Sequence, residues 1–144
     1  MIEYVNVTKI LSAGSDKVWS AIRGIDGLER WFPIIATCRV NGAGVGAIRI
    51  MTLNDGAEIK DRIDEINDTA RRFRYTRTES PFPVNRYLGT VEVRDDNGKT
   101  ALSWTLELDI SPEVRDELTS LLTGALSDGI DGLEQDLQRN DAHL

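Results

Sequence analysis

The chain has 144 residues, 40% apolar and 28% charged, a balance that suits one domain over residues 1–144 and excludes a disordered chain. Its 24 acids outnumber 17 Lys and Arg to give a net charge of −7, and this sign disfavours nucleic acid and anionic membrane partners. No apolar run is long enough to span a bilayer and Met1-Ile2-Glu3-Tyr4 lacks a basic region before an apolar one, so no membrane insertion is expected and the chain is read as cytoplasmic.

Residues 2–11, rich in Ile, Val, Tyr and Thr, predict a first strand, with apolar residues on both parities. Ser15 or Asp16 offers an N-cap for a short helix carrying Val18, Trp19, Ile22 and Ile25 at helical spacing. A second short helical turn, Leu28 to Trp31, stops at Pro33. From there to about residue 110 the pattern is strand and turn. The turns are Asn41-Gly42-Ala43-Gly44, Asn54-Asp55-Gly56, Asn67-Asp68, Pro81-Phe82-Pro83 and Asp95-Asp96-Asn97-Gly98. Six runs after the first strand give a seven-stranded antiparallel meander. From Pro112 to about residue 138 the chain reads as one long amphipathic helix. Val114, Leu118, Leu121, Leu122, Ala125, Leu126, Ile130, Leu133 and Leu137 share its apolar side. The expected class is α+β, a curved sheet around a long C-terminal helix with two short helices after the first strand.

The hairpin at 45–66 carries the most information. A three-residue loop at Asn54-Asp55-Gly56 sets Leu53 opposite Ala57, Met51 opposite Ile59, Arg49 opposite Asp61 and Ala47 opposite Ile63. A two-residue loop would instead oppose Arg49 and Arg62. One face thus holds Met51, Leu53, Ile59 and Ile63 around an Arg49–Asp61 ion pair, and Glu58, Lys60, Arg62 and Asp64 face solvent. That pair either pins the register alone or orients a ligand in a cavity. The inner face continues through Phe73, Tyr75 and Arg77, then Tyr87, Gly89, Val91 and Val93, then Leu102, Trp104, Leu106 and Leu108. Tyr75, Tyr87 and Trp104 suit a core corner or a cavity wall. Gly129, flanked by Ala125 and Gly132 on the apolar arc, calls for either close packing or open volume beside the helix. Open volume is the expectation, which places Ala125 and Gly129 on the cavity. Gly124 lies on the polar side and neither reason explains it.

These stretches resemble a family. Val18-Trp19, Trp31-Phe32-Pro33, Gly46-Ala47-Ile48-Arg49, Asp61-Arg62-Ile63, Pro81-Phe82-Pro83 with Tyr87, Trp104, and Ser127-Asp128-Gly129-Ile130 with Leu133 resemble, in order, the START-like helix-grip (SRPBCC) superfamily. Within it, the chain looks most like the bacterial polyketide cyclase/dehydrase group that includes MxaD-like proteins. Asp61 and Ile130 stand where that family usually has Glu and Leu, and the shorter carboxylate reaches less far toward Arg49. The resemblance implies a cavity between sheet and long helix, opened by the loops at 53–57 and 79–83. It does not imply one activity.

His143, the sole histidine, sits next to the end of the chain, which argues against Ser-His-Asp, Cys-His and His-based metal sites. Cys38 stands alone and is read as a strand residue without a role. Gly42-Ala43-Gly44-Val45-Gly46 reads as a hairpin turn, so no phosphate loop is expected. No metal, nucleotide or other cofactor is expected. Asp128 and Asp131 read as solvated. A binding or carrier protein for a small apolar molecule fits these residues. Its expected ligand-binding residues are Arg49, Met51, Ile59, Asp61, Ile63, Phe73, Tyr75, Tyr87, Val91, Trp104, Ala125 and Gly129. A cyclase, dehydratase or related lyase fits too, with catalytic candidates Asp61, Arg49, Tyr75 and Tyr87 and with Asp61 held ionised by Arg49. A third reading is an accessory protein with a vestigial cavity and a partner-binding outer face. A homodimer is left open.

Overall fold

The computed structural model describes residues 1–142, with side chains to residue 139; His143 lies outside the described residues. One antiparallel sheet of seven strands contains β1 (Ile2–Leu11), β2 (Ile35–Asn41), β3 (Ile48–Leu53), β4 (Glu58–Asn67), β5 (Arg72–Glu79), β6 (Arg86–Asp96) and β7 (Lys99–Asp109). Its order is β1-β7-β6-β5-β4-β3-β2. The expected seven-stranded meander is therefore a six-stranded one, β2 to β7, completed by β1 pairing with β7. The first two strands stand at opposite edges. Helix α1 (Ser15–Arg23) and a 3₁₀ turn (Leu28–Arg30) carry the chain between them.

In β1, odd positions face inward, with Val5 and Leu11 buried and Tyr4 and Ile10 exposed. Helix α1 buries Val18, Trp19 and Ile22, and its start differs from expectation. Gly14 is the N-cap, without a side-chain hydrogen bond, because Ser15 is already inside the first turn and buried. The long helix opens as a 3₁₀ turn at Pro112–Val114 and continues as α2 (Arg115–Ala142). Leu118, Leu122, Leu126, Ile130, Leu133 and Leu137 of α2 are buried, whereas Leu121 is 53% exposed. Leu121 shares the apolar arc but stands beyond the edge of the sheet's cover.

Two irregularities shift the β4–β5 register, at Lys60/Asp61 and Ile63/Glu65. Such irregularities bend a strand and re-aim its side chains. A third lies at Ile35/Thr37 in the β2–β3 pairing. The β3–β4 hairpin has the register read from the sequence. Arg49 faces Asp61, Met51 faces Ile59, and backbone hydrogen bonds join Leu53 to Ala57 and Ile63 to Ala47.

The long helix is fastened to the segment before β2. The buried Asp136 accepts from the Trp31 indole at 3.0 Å and from Arg30 at 3.3 Å. Glycine lets the two pieces approach. A Cβ at Gly132 would overlap the Trp31 carbonyl, and one at Gly129 would overlap the Phe32 ring. Close packing, and not open volume, is thus the reason for both glycines. The packed partner is the Trp31-Phe32 segment rather than a strand.

Candidate cleft and its buried charge cluster

The hairpin register and the irregularity at Ile63/Glu65 set a row of side chains across three strands. Arg49 on β3, Asp61 on β4 and Arg77 on β5 lie opposite one another. The side chains of Arg49, Asp61 and Arg77 are 2%, 0% and 10% exposed. Arg49 gives Nε and Nη2 to one carboxylate oxygen of Asp61, at 3.2 and 3.0 Å. Arg77 gives Nε to the other oxygen at 2.8 Å and Nη2 to the first at 3.3 Å. The remaining Nη1 of Arg49 donates to the Ile25 carbonyl at 3.0 Å. Ile25 itself has a left-handed backbone, φ 69°, a costly conformation for a β-branched residue.

Aromatic faces cover the cations. Arg49 lies 5.0 Å from the Tyr75 ring centre and 5.6 Å from that of Phe73. Arg77 lies 4.2 Å from the ring centre of Tyr87, with Tyr75 at 5.7 Å. Such contacts add about 0.5–1 kcal/mol each at exposed sites and about 2 kcal/mol when water is excluded. The Tyr75 ring can lie across β6 because its neighbour there is Gly89, where any Cβ would overlap it. The Tyr75 hydroxyl accepts from the Trp104 indole at 3.1 Å.

Burial pushes the Asp61 carboxyl up, but the charges of Arg77 and Arg49 and their hydrogen bonds outweigh it. The group sits below the usual carboxylate range. For Arg77 burial works against the charge and Asp61 more than restores it. Burial pushes the Tyr75 and Tyr87 hydroxyls up, partly opposed by Arg77. At neutral pH the cluster therefore holds two guanidinium cations, one carboxylate and two neutral phenols.

Arg77 and Tyr87 form part of the wall of a cleft of about 690 Å³ between the sheet and α2. Its apolar lining includes Ile34, Leu53, Ile59, Phe82, Leu121 and Leu126, and the loops at 53–55 and 81–82 border it. Ile34 and Leu121 are exposed there, at 43% and 53%. Gly124, unexplained from the sequence, also borders the cleft, and a Cβ there would meet nothing within 4 Å. A second hollow of about 600 Å³ lies on the outer face, among Tyr4, Arg74, Thr76, Arg86, Leu88 and Glu107. Most of its side chains belong to the solvent-facing parity of the strands, and the charged Arg74, Arg86 and Glu107 among them suit an apolar molecule less than the cleft does.

Of the residues expected to bind ligand, Ile59, Tyr87 and Ala125 line the cleft. Arg49, Met51, Asp61, Ile63, Phe73, Tyr75, Val91 and Trp104 are 3% exposed or less and form the layer behind it. Gly129 is covered by Phe32. The Phe32 ring also packs edge-on against Trp104, 5.5 Å between centres, and so fills the space expected for ligand beside Gly129. Strand alternation puts Arg77 on the inner face but does not pair it with Asp61, because a uniform strand pattern carries no sign of the extra β4 residue at Ile63/Glu65 that brings them together. Leu121 and Ile34 are visible in sequence only as apolar residues; their position at the mouth is a product of the tertiary fold. One further cluster draws on the segment before β2 and on β2 itself. Asp26, Glu29 and Cys38 bring potential ligand atoms within 4.8 Å of one another. The Glu29 Oε2 atom is buried there without a hydrogen-bond partner among the described residues.

A curved sheet gripping a long helix over such a cleft defines a START-like helix-grip protein. The chain belongs to the family described as polyketide cyclase / dehydrase and lipid transport, whose sequence pattern matches residues 4–138. No curated protein matches the chain significantly. Among solved structures, XoxI from Bacillus cereus is similar at 26% identity and a TM-score of 0.83, covering 92% of this chain and 94% of that one. The Zhui aromatase/cyclase from a Streptomyces species shares the fold at 17% identity and a TM-score of 0.83, covering 96% and 95%. Norcoclaurine synthase from Thalictrum flavum, solved with dopamine and hydroxybenzaldehyde, shares it at 18% identity and 0.79, covering 96% and 88%.

Proposed function

We propose that this protein binds a small, largely apolar molecule in the cleft between the sheet and α2. The observation that carries the reading is the cleft itself. Its volume of about 690 Å³ falls within the roughly 300–1,000 Å³ of small-molecule sites, and apolar walls with few polar groups are the usual pattern of such sites. A cytoplasmic location, one domain across residues 1–144 and kinship with MxaD-like proteins belong to the same proposal.

A second reading, a cyclase or dehydratase, draws support from Tyr87 beside Arg77. A neutral phenol next to a fixed cation can donate a hydrogen bond to a substrate oxygen on which charge develops. Binding remains the stronger reading. Asp61, the only carboxylate among the catalytic candidates, is fully buried, held by four N–H groups of two arginines and not part of the cleft lining.

Native mass spectrometry of the purified protein is expected to show a retained small molecule or, after denaturing clean-up and refolding, uptake of the neutral fluorescent probe 1-aminoanthracene. Ala125→Phe, which fills the cleft from α2, should weaken probe binding at least tenfold with the melting temperature kept. A protein that neither retains a molecule nor takes up the probe contradicts the proposal, as does unchanged binding by Ala125→Phe.

A further inference from the structure

We infer that the ligand of this cleft is an apolar acid, whose carboxylate or equivalent planar oxyanion seats on Arg77 at the cleft floor. This rests on the cleft being a binding site and adds the charge of what it binds. Arg49, Arg77 and Asp61 together carry one uncompensated positive charge, with side chains 2%, 10% and 0% exposed. A buried charge without a partner is costly, and an arriving anion removes that cost. Arg49 is not placed to meet it, since it is buried behind the cleft lining and each of its three nitrogens already donates to Asp61 or the Ile25 carbonyl. Asp61, itself an anion and fully buried, offers an arriving anion nothing.

Arg77 is different. Nε and Nη2 are engaged with Asp61, and Nη1 has no hydrogen-bond partner among the described residues. The one side-chain polar atom found both buried and unpartnered among them is Glu29 Oε2, so Arg77 Nη1 is open, and Arg77 borders the cleft. The cluster thus presents a guanidinium edge with free donors at the floor of an apolar cleft, held in one orientation by Asp61 and by the Tyr87 ring. Guanidinium edges favour planar oxyanions, with shorter and stronger bonds than neutral acceptors give. The other charged residues on the lining, Asp55 and Asp128, are both exposed. They are solvated at the mouth and do not neutralise the floor. The net charge of −7 slows the entry of an anion, but salt screens it over about 8–10 Å, whereas the desolvated floor is screened far less.

The test compares two compounds of one shape, 2-naphthoate and 2-naphthamide, each titrated to displace 1-aminoanthracene from the intact protein at neutral pH. The expected result is displacement by naphthoate at a concentration at least tenfold lower than by naphthamide. In Arg77→Gln that ratio should fall to about one. If Arg77→Gln does not fold, Arg77→Lys, which keeps the charge, should retain a preference for naphthoate over naphthamide. Equal displacement by the two compounds on the unaltered protein overturns the anion inference and leaves the cleft reading standing. Persistence of the full preference in Arg77→Gln overturns the assignment to Arg77. A probe that does not bind at all overturns the cleft reading and this inference together.

Discussion

Asp61 meets four N–H groups from two arginines, and removing its charge leaves two guanidinium groups side by side without a counter-ion. Asp61→Asn should therefore lose about 3–5 kcal/mol of stability in urea unfolding at pH 7; a loss under 1 kcal/mol would mean that water reaches the cluster. The two arginines are not equivalent. Either Arg49→Met or Arg77→Met leaves a neutral pair, but Arg49→Met also strips the Ile25 carbonyl of its donor, so it should be the costlier of the two. The depressed Asp61 carboxyl fixes the sign of a pH effect. A carboxylate held below its unfolded value near 3.9 adds stability above that value and loses it as pH falls through the folded one. The carbon signal of the Asp61 carboxyl should accordingly titrate below about pH 3.9, while titration above it would place the arginines farther away than the structure does. The Arg49–Asp61 half of this cluster was legible, because the three-residue loop and the facing charges admit one sensible register. The Arg77 half was not. It depends on the irregularity at Ile63/Glu65, where β4 carries one extra residue, and a single extra backbone residue cannot be placed from side-chain alternation alone.

Along α2 the same contrast between local pattern and tertiary contact decides what its glycines do. A helix interior favours Ala over Gly by about 1 kcal/mol, so each glycine is a question that the helical pattern cannot answer alone. The structure answers it three ways. Gly132→Ala meets the Trp31 backbone, which has no room to move, and should cost about 1–3 kcal/mol or more. Gly129→Ala meets the Phe32 ring, which can swing at the loss of its Trp104 contact, so the cost should be smaller. Gly124→Ala meets nothing and should gain stability. Thermal melts of the three variants check the order 132, 129, 124 from most to least destabilised. A stabilised Gly132→Ala protein would contradict the packing of α2 on the Trp31-Phe32 segment. Helical spacing marks the strip as special, but its neighbour is the Trp31-Phe32 segment rather than open volume. Trp31-Phe32-Pro33 is far from residue 129 in the chain, and nothing in either stretch states that they touch. Helix and strand positions themselves were largely legible, since turn residues and apolar spacing are local signals.

At the scale of the whole molecule, β1 pairing with β7 and α1 with the 3₁₀ turn crossing between the sheet edges produce a sheet curved enough to hold a helix and still leave a cleft at one end. The family's fold accounts for the cleft; this chain's own residues account for its depth. Phe32 fills the inner part, and Ile34, Phe82 and Leu121 form the apolar mouth. The most direct test of the account is a map of amide shifts in the ¹⁵N-labelled protein as 1-aminoanthracene is added. The account predicts saturable shifts centred on Ile59, Phe82, Tyr87 and Ala125, with Thr76, Leu88 and Thr105 of the outer face unmoved. Shifts centred on that outer face, or none that saturate, would contradict it.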